Sequence, residues 1–219
     1  MNRPRPIPPA LALALAVHLS ACESAPSYNP MLLTPESLTE TAPDVFQARF
    51  ETSKGDFVIE VHREWSPRGA DRFYNLVANG YYDNVRFFRV IAGFMAQFGI
   101  HGDTEVSAAW REQRIDDDPV VQSNTRGFVS YAKGDANTRT TQIFINFGDN
   151  SRLDPMGFSP FGQVVEGMEV VDRIYSGYGN TQPNGTGPNP PLIHTRGNEY
   201  LDEEYPNLDF VTRATIADG

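Results

Sequence analysis

The sequence predicts a mainly β domain, a barrel or sandwich of short strands flanked by two helices. Three observations carry this. Alternating apolar residues mark a hairpin just after position 45. Short apolar runs then recur, punctuated by Gly, Pro, Asn and Asp. Two segments show helical periodicity with recognisable ends. At 219 residues and 40% apolar content, the chain can build one substantial core.

The first 21 residues stand apart from that core. Arg3 and Arg5 precede an apolar run from Ala10 to Leu19, interrupted by His18. The run is too short to span a bilayer and suits a signal-peptide core. It leads into Leu19-Ser20-Ala21-Cys22, which resembles the bacterial lipoprotein signal, in which the cysteine is lipidated and becomes the mature N-terminus. Cys22 is the chain's single cysteine, and lipidation accounts for an odd cysteine in an exported protein. The alternative is an ordinary cleaved signal with an incidental cysteine. Glu23, rather than Asp, follows the cysteine and resembles outer-membrane sorting. The expected location is therefore the bacterial cell envelope, lipid-anchored on the periplasmic face of the outer membrane. The lipid is the expected membrane contact, and the domain is expected to be a monomer. Residues 22–43, rich in Pro, Ser and Thr, read as a flexible tether, and 44–219 as the folded domain.

Within the domain, "ARFETSKGDFVIEVH" reads as a hairpin turning at Ser53-Lys54-Gly55-Asp56. Ala48, Phe50 and Thr52 share one face, and Phe57, Ile59 and Val61 alternate likewise. "SPRGADRFYNLVANG" is a helix with Ser66 at the N-cap, Pro67 in the first turn and Gly80 as the stop. Its buried stripe is Ala70, Phe73, Leu76 and Val77. Strands are expected at 85–91, 95–98, 127–132, 142–146 and 161–165. A second helix is expected from Met168 to Tyr175. Residues 177–191 should be loop, "RGNEYLDEEYP" a short helix, and Asp209 to Ala217 a final strand.

Several chemistries are excluded or unsupported. A net charge of −10 argues against nucleic acid. His62, His101 and His194 are scattered without metal-ligand spacing. Asp116-Asp117-Asp118 lacks the glycine and distal glutamate of a calcium loop and reads as solvated. No nucleophile elbow, P-loop or dinucleotide fingerprint is present. What remains is an odd mixture on two strands. Phe87, Arg89 and Ile91 share a face at period two. Gln142, Phe144 and Asn146 share another, opposite Ile143 and Ile145. Either Arg89 snorkels to the rim and Phe144 is ordinary core, or the mixed faces line an apolar groove with a few fixed polar groups.

The motifs that carry these residues resemble the cyclophilin family of peptidyl-prolyl cis-trans isomerases. "FFRVIAGFMAQ" follows the family pattern F-[HF]-R-[VI]-I-x-G-F-M-x-Q. "FVIEV", "SNTRGFVSYA", "NTRTTQIFINFGDNSRLD" and "FSPFGQVVEGMEVVDRI" extend the match over about residues 45–176. The family fold is an eight-stranded antiparallel barrel capped by two helices. The resemblance implies non-covalent catalysis of rotation about X-Pro bonds in proline-containing polypeptides, with neither cofactor nor metal. A proline-peptide binding module or holdase with little turnover is the alternative.

By the same resemblance, Arg89 matches the catalytic arginine. Phe94, Met95, Phe144 and Leu153 match the pocket for the proline ring. Gln97 matches the glutamine that orients the arginine. Ala132 and Lys133 match the edge where peptide pairs with main chain, Lys133 standing where Asn is usual. Gln142 lines the groove, and Phe158 replaces a common His as an apolar wall. Arg152 stands where many eukaryotic members carry a Trp that holds cyclosporin, which implies weak sensitivity. Residues 178–207 exceed the family pattern and are expected to cover the barrel or shape a partner surface.

Overall fold

The computed structural model describes Met1 and residues 28–217. Its strands are β1 (Val45–Thr52), β2 (Gly55–His62), β3 (Arg89–Ile91), β4 (Met95–Phe98), β5 (Phe128–Tyr131), β6 (Ile143–Asn146), β7 (Pro160–Glu166) and β8 (Val211–Ala217). They form one antiparallel sheet in the order β3-β4-β6-β5-β7-β2-β1-β8. The sheet curls, and its two ends meet through the segments that lead into them. Phe87 N–H donates to Asp209 O (2.9 Å) and Val211 N–H to Val85 O (2.9 Å). The eight-stranded antiparallel expectation therefore holds, with backbone bonds drawing the two edge strands together.

The β1–β2 hairpin forms at the expected turn, with Thr52 opposite Gly55. Ala48, Phe50, Phe57, Ile59 and Val61 all point into the core. Phe50 stacks on Phe57 with centroids 5.1 Å apart, and Phe73 from helix α1 (Pro67–Ala78) stacks on Phe50 at 6.1 Å. Ser66 is the N-cap of α1, but its hydroxyl donates outward, to Asp118 Oδ2 at 2.6 Å. Asp118 takes over the capping role, accepting from Gly69 N (3.0 Å) and from Arg139 Nη2 (2.9 Å). This corrects the reading of the acidic triplet as solvated: Asp118 is buried at the N-terminus of α1, where a carboxylate satisfies orphan N–H groups.

The helices depart from the two expected. The segment from Met168 forms a helix, α3 (Met168–Val171), shorter than predicted. Asp172 leaves it to pair with Arg126 (2.6 Å), and Tyr175 N–H donates to Asp209 Oδ2 (2.7 Å), which draws the chain away from the helix axis. Two further helices are α2 (Thr104–Trp110), capped by the Asp103 carboxylate, and α4 (Pro190–Glu204). Helix α4 includes the short helix expected near 196–206. It bends at Gly197, whose φ of 60° no β-carbon would tolerate there: an added Cβ would meet Gly102 O.

The 178–207 segment covers the barrel. Ile193, Tyr200, Leu201 and Tyr205 bury Phe88 and Ile100 in a satellite core. Phe87 and Val90, by contrast, enter the barrel interior. The backbone is irregular before Arg89, so alternation fails there, and the expected common face of Phe87 with Arg89 is not formed.

The flexible-tether reading of 22–43 is corrected for residues 28–43. Leu32 is fully buried, and Trp110 Nε1 donates to its carbonyl (2.9 Å). Asn75 of α1 both accepts from Glu40 N (3.0 Å) and donates to Glu40 O (2.7 Å). A polar, proline-rich segment orders here because its backbone groups find buried side-chain partners. Cys22 and the signal-peptide residues lie outside the described residues. No helix among the described residues is long and apolar enough to cross a membrane.

Candidate active site

Strand register assembles the site. In the β3–β4 pair Arg89 lies opposite Gln97, and in the β4–β6 pair Gln97 lies opposite Phe144. Cross-strand neighbours project from the same face, so these three side chains stand in a row on the outer wall. Ile143 and Ile145 take the other face, into the barrel. The groove reading, and not the rim reading, is the one the fold adopts.

All ten residues expected at the site line one cavity of about 540 Å³. Met95, Phe144 and Leu153 form its apolar floor, with Phe94, Ala132 and Phe158 packed around them. Phe144 meets Phe158 edge-on at 5.8 Å. Leu153 is delivered by a 3-10 helix over Ser151–Met156, which ends at Gly157 in a left-handed conformation. A side chain at that glycine would crowd Lys133 Nζ, 2.9 Å from the added Cβ. Lys133 itself is held by Asp117 (2.7 Å), with its ammonium 5.6 Å from the Phe158 ring. The Ala132 N–H is committed to Gln142 O (2.9 Å), so a bound peptide cannot pair through that group.

The polar side of the groove is a relay. Arg89 Nη1 donates to Gln97 Oε1 (2.9 Å), and Gln97 Nε2 donates to Gln142 Oε1 (3.0 Å). Because arginine can only donate, Gln97 must turn its oxygen toward it, and Gln142 must then present an acceptor. Arg89 Nε donates to Asn180 Oδ1 (2.7 Å). Partial burial pushes the Arg89 pKa down from its ordinary value, yet the group stays cationic at neutral pH. Its hydrogen-bond acceptors are neutral amides, and among the described residues no carboxylate forms an ion pair with it. A fixed, unneutralised donor therefore sits beside an apolar pocket.

Some lining residues escaped the sequence reading. Thr138 and Thr140 lie in the matched "NTRTTQIF" stretch but carry no chemical signal by themselves. Thr181 and Pro190 reach the groove from the 178–207 segment, and Asn180 reaches Arg89 from the same segment. Nothing local in the sequence marks them. Arg152 does not line the cavity; its guanidinium covers the Phe94 ring at 4.7 Å.

The site is thus an apolar groove with a held guanidinium on the outer wall of a curled eight-stranded antiparallel sheet. Residues 47–194 match the family described as cyclophilin type peptidyl-prolyl cis-trans isomerase/CLD, and the chain belongs to that family. By that membership it is an enzyme of the peptidyl-prolyl cis-trans isomerase class. It is similar to peptidyl-prolyl cis-trans isomerase-like 3 of Mus musculus, 36% identical over 126 residues, covering 56% of this chain and 78% of that protein. It is also similar to peptidyl-prolyl cis-trans isomerase B of Escherichia coli K12, 35% identical over 133 residues, covering 57% and 81%. A Cryptosporidium parvum cyclophilin type isomerase shares the fold, with a TM-score of 0.58 at 21% identity over 80% of this chain and 99% of that one. A second structure of that protein, in the presence of the dipeptide Ala-Pro, aligns with a TM-score of 0.57 at 22% identity, covering 79% and 99%.

Proposed function

We propose that the groove binds an X-Pro segment of an exported or unfolded polypeptide and that Arg89 lowers the barrier to rotation about its peptide bond. Amide rotation meets a barrier of about 18–20 kcal/mol because the nitrogen lone pair is delocalised into the carbonyl. In the twisted transition state that lone pair is localised on the proline nitrogen. A cationic donor aimed at the nitrogen binds this state better than either planar ground state. No bond to the enzyme is needed.

The observation that carries the reading is the state of Arg89. Its guanidinium is oriented by two neutral amides, Gln97 and Asn180, beside the Met95–Phe144–Leu153 floor. A neighbouring carboxylate would satisfy the charge and blunt it as a donor. A pocket that only binds proline segments or restrains unfolded chains has no use for an oriented cation. One charged hydrogen bond supplies about 1.5–3 kcal/mol, roughly ten- to a hundredfold in rate. The remainder is assigned to the apolar floor holding the proline ring while the bond turns. The test is isomerisation of a proline peptide by wild type and Arg89→Ala. The variant should lose at least about tenfold in kcat/KM while keeping its fold; unchanged turnover refutes the catalytic assignment and favours the binding-module reading.

We further propose that the protein is a lipoprotein anchored through Cys22 on the periplasmic face of the outer membrane, and that it acts as a monomer. The Leu19-Ser20-Ala21-Cys22 motif supports the anchor. Tyr28 is already part of the packed domain, where it donates to Glu105 (3.0 Å). Five residues lie between it and Cys22, so the two are at most about 20 Å apart at full extension. On this reading the domain works close to the membrane surface.

A further inference from the structure

A loop late in the chain reaches the Arg89 guanidinium through Asn180, and we propose that Asn180 is a positioning residue for the isomerisation. The proposal rests on the rotamase reading above. Arg89 Nη1 is held by Gln97 at 2.9 Å, and Nε by Asn180 at 2.7 Å. A planar cation held at one nitrogen can pivot about that contact. Held at two, its plane is set, and its remaining N–H groups keep one direction. Gln97 is a neighbour across the hairpin. Asn180 arrives from far along the chain, so this second anchor exists only in the folded protein.

The Asn180 amide presents its oxygen for a physical reason. Arginine offers donors alone, and Thr181 N–H donates to the same Oδ1 at 3.0 Å. The loop beneath is built to hold it. Gly187 N–H donates to Asn180 O (2.8 Å), and Tyr205 Oη donates to Gly187 O (3.2 Å) and accepts from Gln182 Nε2 (3.0 Å). Tyr178 packs edge-on between Tyr175 and Tyr205, both at 5.1 Å. Tyr205 belongs to the satellite core under α4. The anchor is thus tied to a packed cluster.

Asn180 does not line the cavity, whereas its neighbour Thr181 does. Its influence on the reaction passes through Arg89, so it should act on kcat and leave KM in place. The residue type matters as well. Asparagine supplies an acceptor without a charge, which preserves the cation that the reaction uses. Aspartate at the same place would keep the acceptor and neutralise the guanidinium.

The test compares full-length wild type, Arg89→Ala, Asn180→Ala and Asn180→Asp on one proline peptide. Asn180→Ala should lower kcat roughly fivefold, with KM within about twofold, because the donor is misplaced. Asn180→Asp retains both hydrogen bonds and therefore the loop, so it folds even if the alanine variant does not. It should lower kcat about tenfold, again at constant KM, because the cation is paired. A purely structural role for Asn180 predicts full activity in the aspartate variant, and that result overturns the proposal. A rise in KM at constant kcat overturns it too. If wild type does not turn over, the rotamase reading fails; if wild type is active, Arg89→Ala is impaired and both Asn180 variants match wild type, this inference alone fails.

Discussion

Arg89→Lys separates charge from geometry. The substitution keeps a cation in the groove but replaces a forked plane with one ammonium on a flexible stem. Arg89 serves three directions at once: Nε to Asn180 at 2.7 Å, Nη1 to Gln97 at 2.9 Å, and the rest of the guanidinium toward the groove that it lines. On the proposed mechanism, a single nitrogen that satisfies the two amide oxygens is drawn toward them and loses its aim at the proline nitrogen. The loss is then one charge-assisted bond in the transition state, about 1.5–3 kcal/mol, or roughly ten- to a hundredfold in kcat/KM. Stability should change little, since charge is retained and both acceptors keep a donor. The assay is isomerisation of a proline peptide at several enzyme concentrations, beside a thermal melt. A lysine variant within about threefold of wild type would show that positive charge suffices and that the orientation by Gln97 and Asn180 does not matter.

Three further outcomes are expected. Asp118→Ala removes the acceptor for Ser66, Gly69 and Arg139 and leaves the buried Arg139 without its closest carboxylate. It should cost about 3–5 kcal/mol, or a drop of about 10 °C in melting temperature, read by circular dichroism; a melt unchanged within about 2 °C contradicts the capping role. His194, which contacts Ser107 Oγ (2.8 Å) between α4 and α2, has its pKa pushed down from 6.5 to about 4 by burial and by the Arg111 charge. The unfolded form binds that proton more tightly, so stability is full above the ordinary value and is lost as pH falls from 6.5 toward about 4. The loss should be about 1–2 kcal/mol after discounting for the ring's partial exposure, and urea melts should show it in wild type but not in His194→Gln. Cys22→Ser should move the protein from the membrane to the soluble fraction, and continued membrane retention contradicts lipidation.

Local pattern exposed much of this protein. The β1–β2 hairpin, α1 and the short strands were legible because each carries its own period and its own turn residues. The cavity-lining set was legible through motif resemblance, since the residues that meet in the groove sit in recognisable stretches. Other features were not. Asp118 looked like a surface acid because a carboxylate is judged exposed until its partners are known, and those partners, Ser66, Gly69 and Arg139, are distant in sequence. Residues 28–43 looked like tether because their composition is polar, while the side chains that order them, Asn75 and Trp110, belong to helices elsewhere. Helix α2 did carry a signal, an Asp103 cap before Glu105 and Val106, but only two turns follow it.

The "FFRVIAGFMAQ" stretch shows where the division falls. By sequence alone the chain specified a β domain, an arginine out of place among apolar residues, and a resemblance to the cyclophilin family. Those follow from residue type and short-range spacing, which survive in one dimension. Only the tertiary structure decided that Phe87 enters the barrel while Phe88 turns into the cluster under α4, because the backbone is irregular where the two sheet ends meet. It alone brought Asn180 to Arg89 Nε, because that contact depends on how the chain after α3 folds back over the sheet. Hydrogen bonds between distant segments are set by packing, and no local period records them.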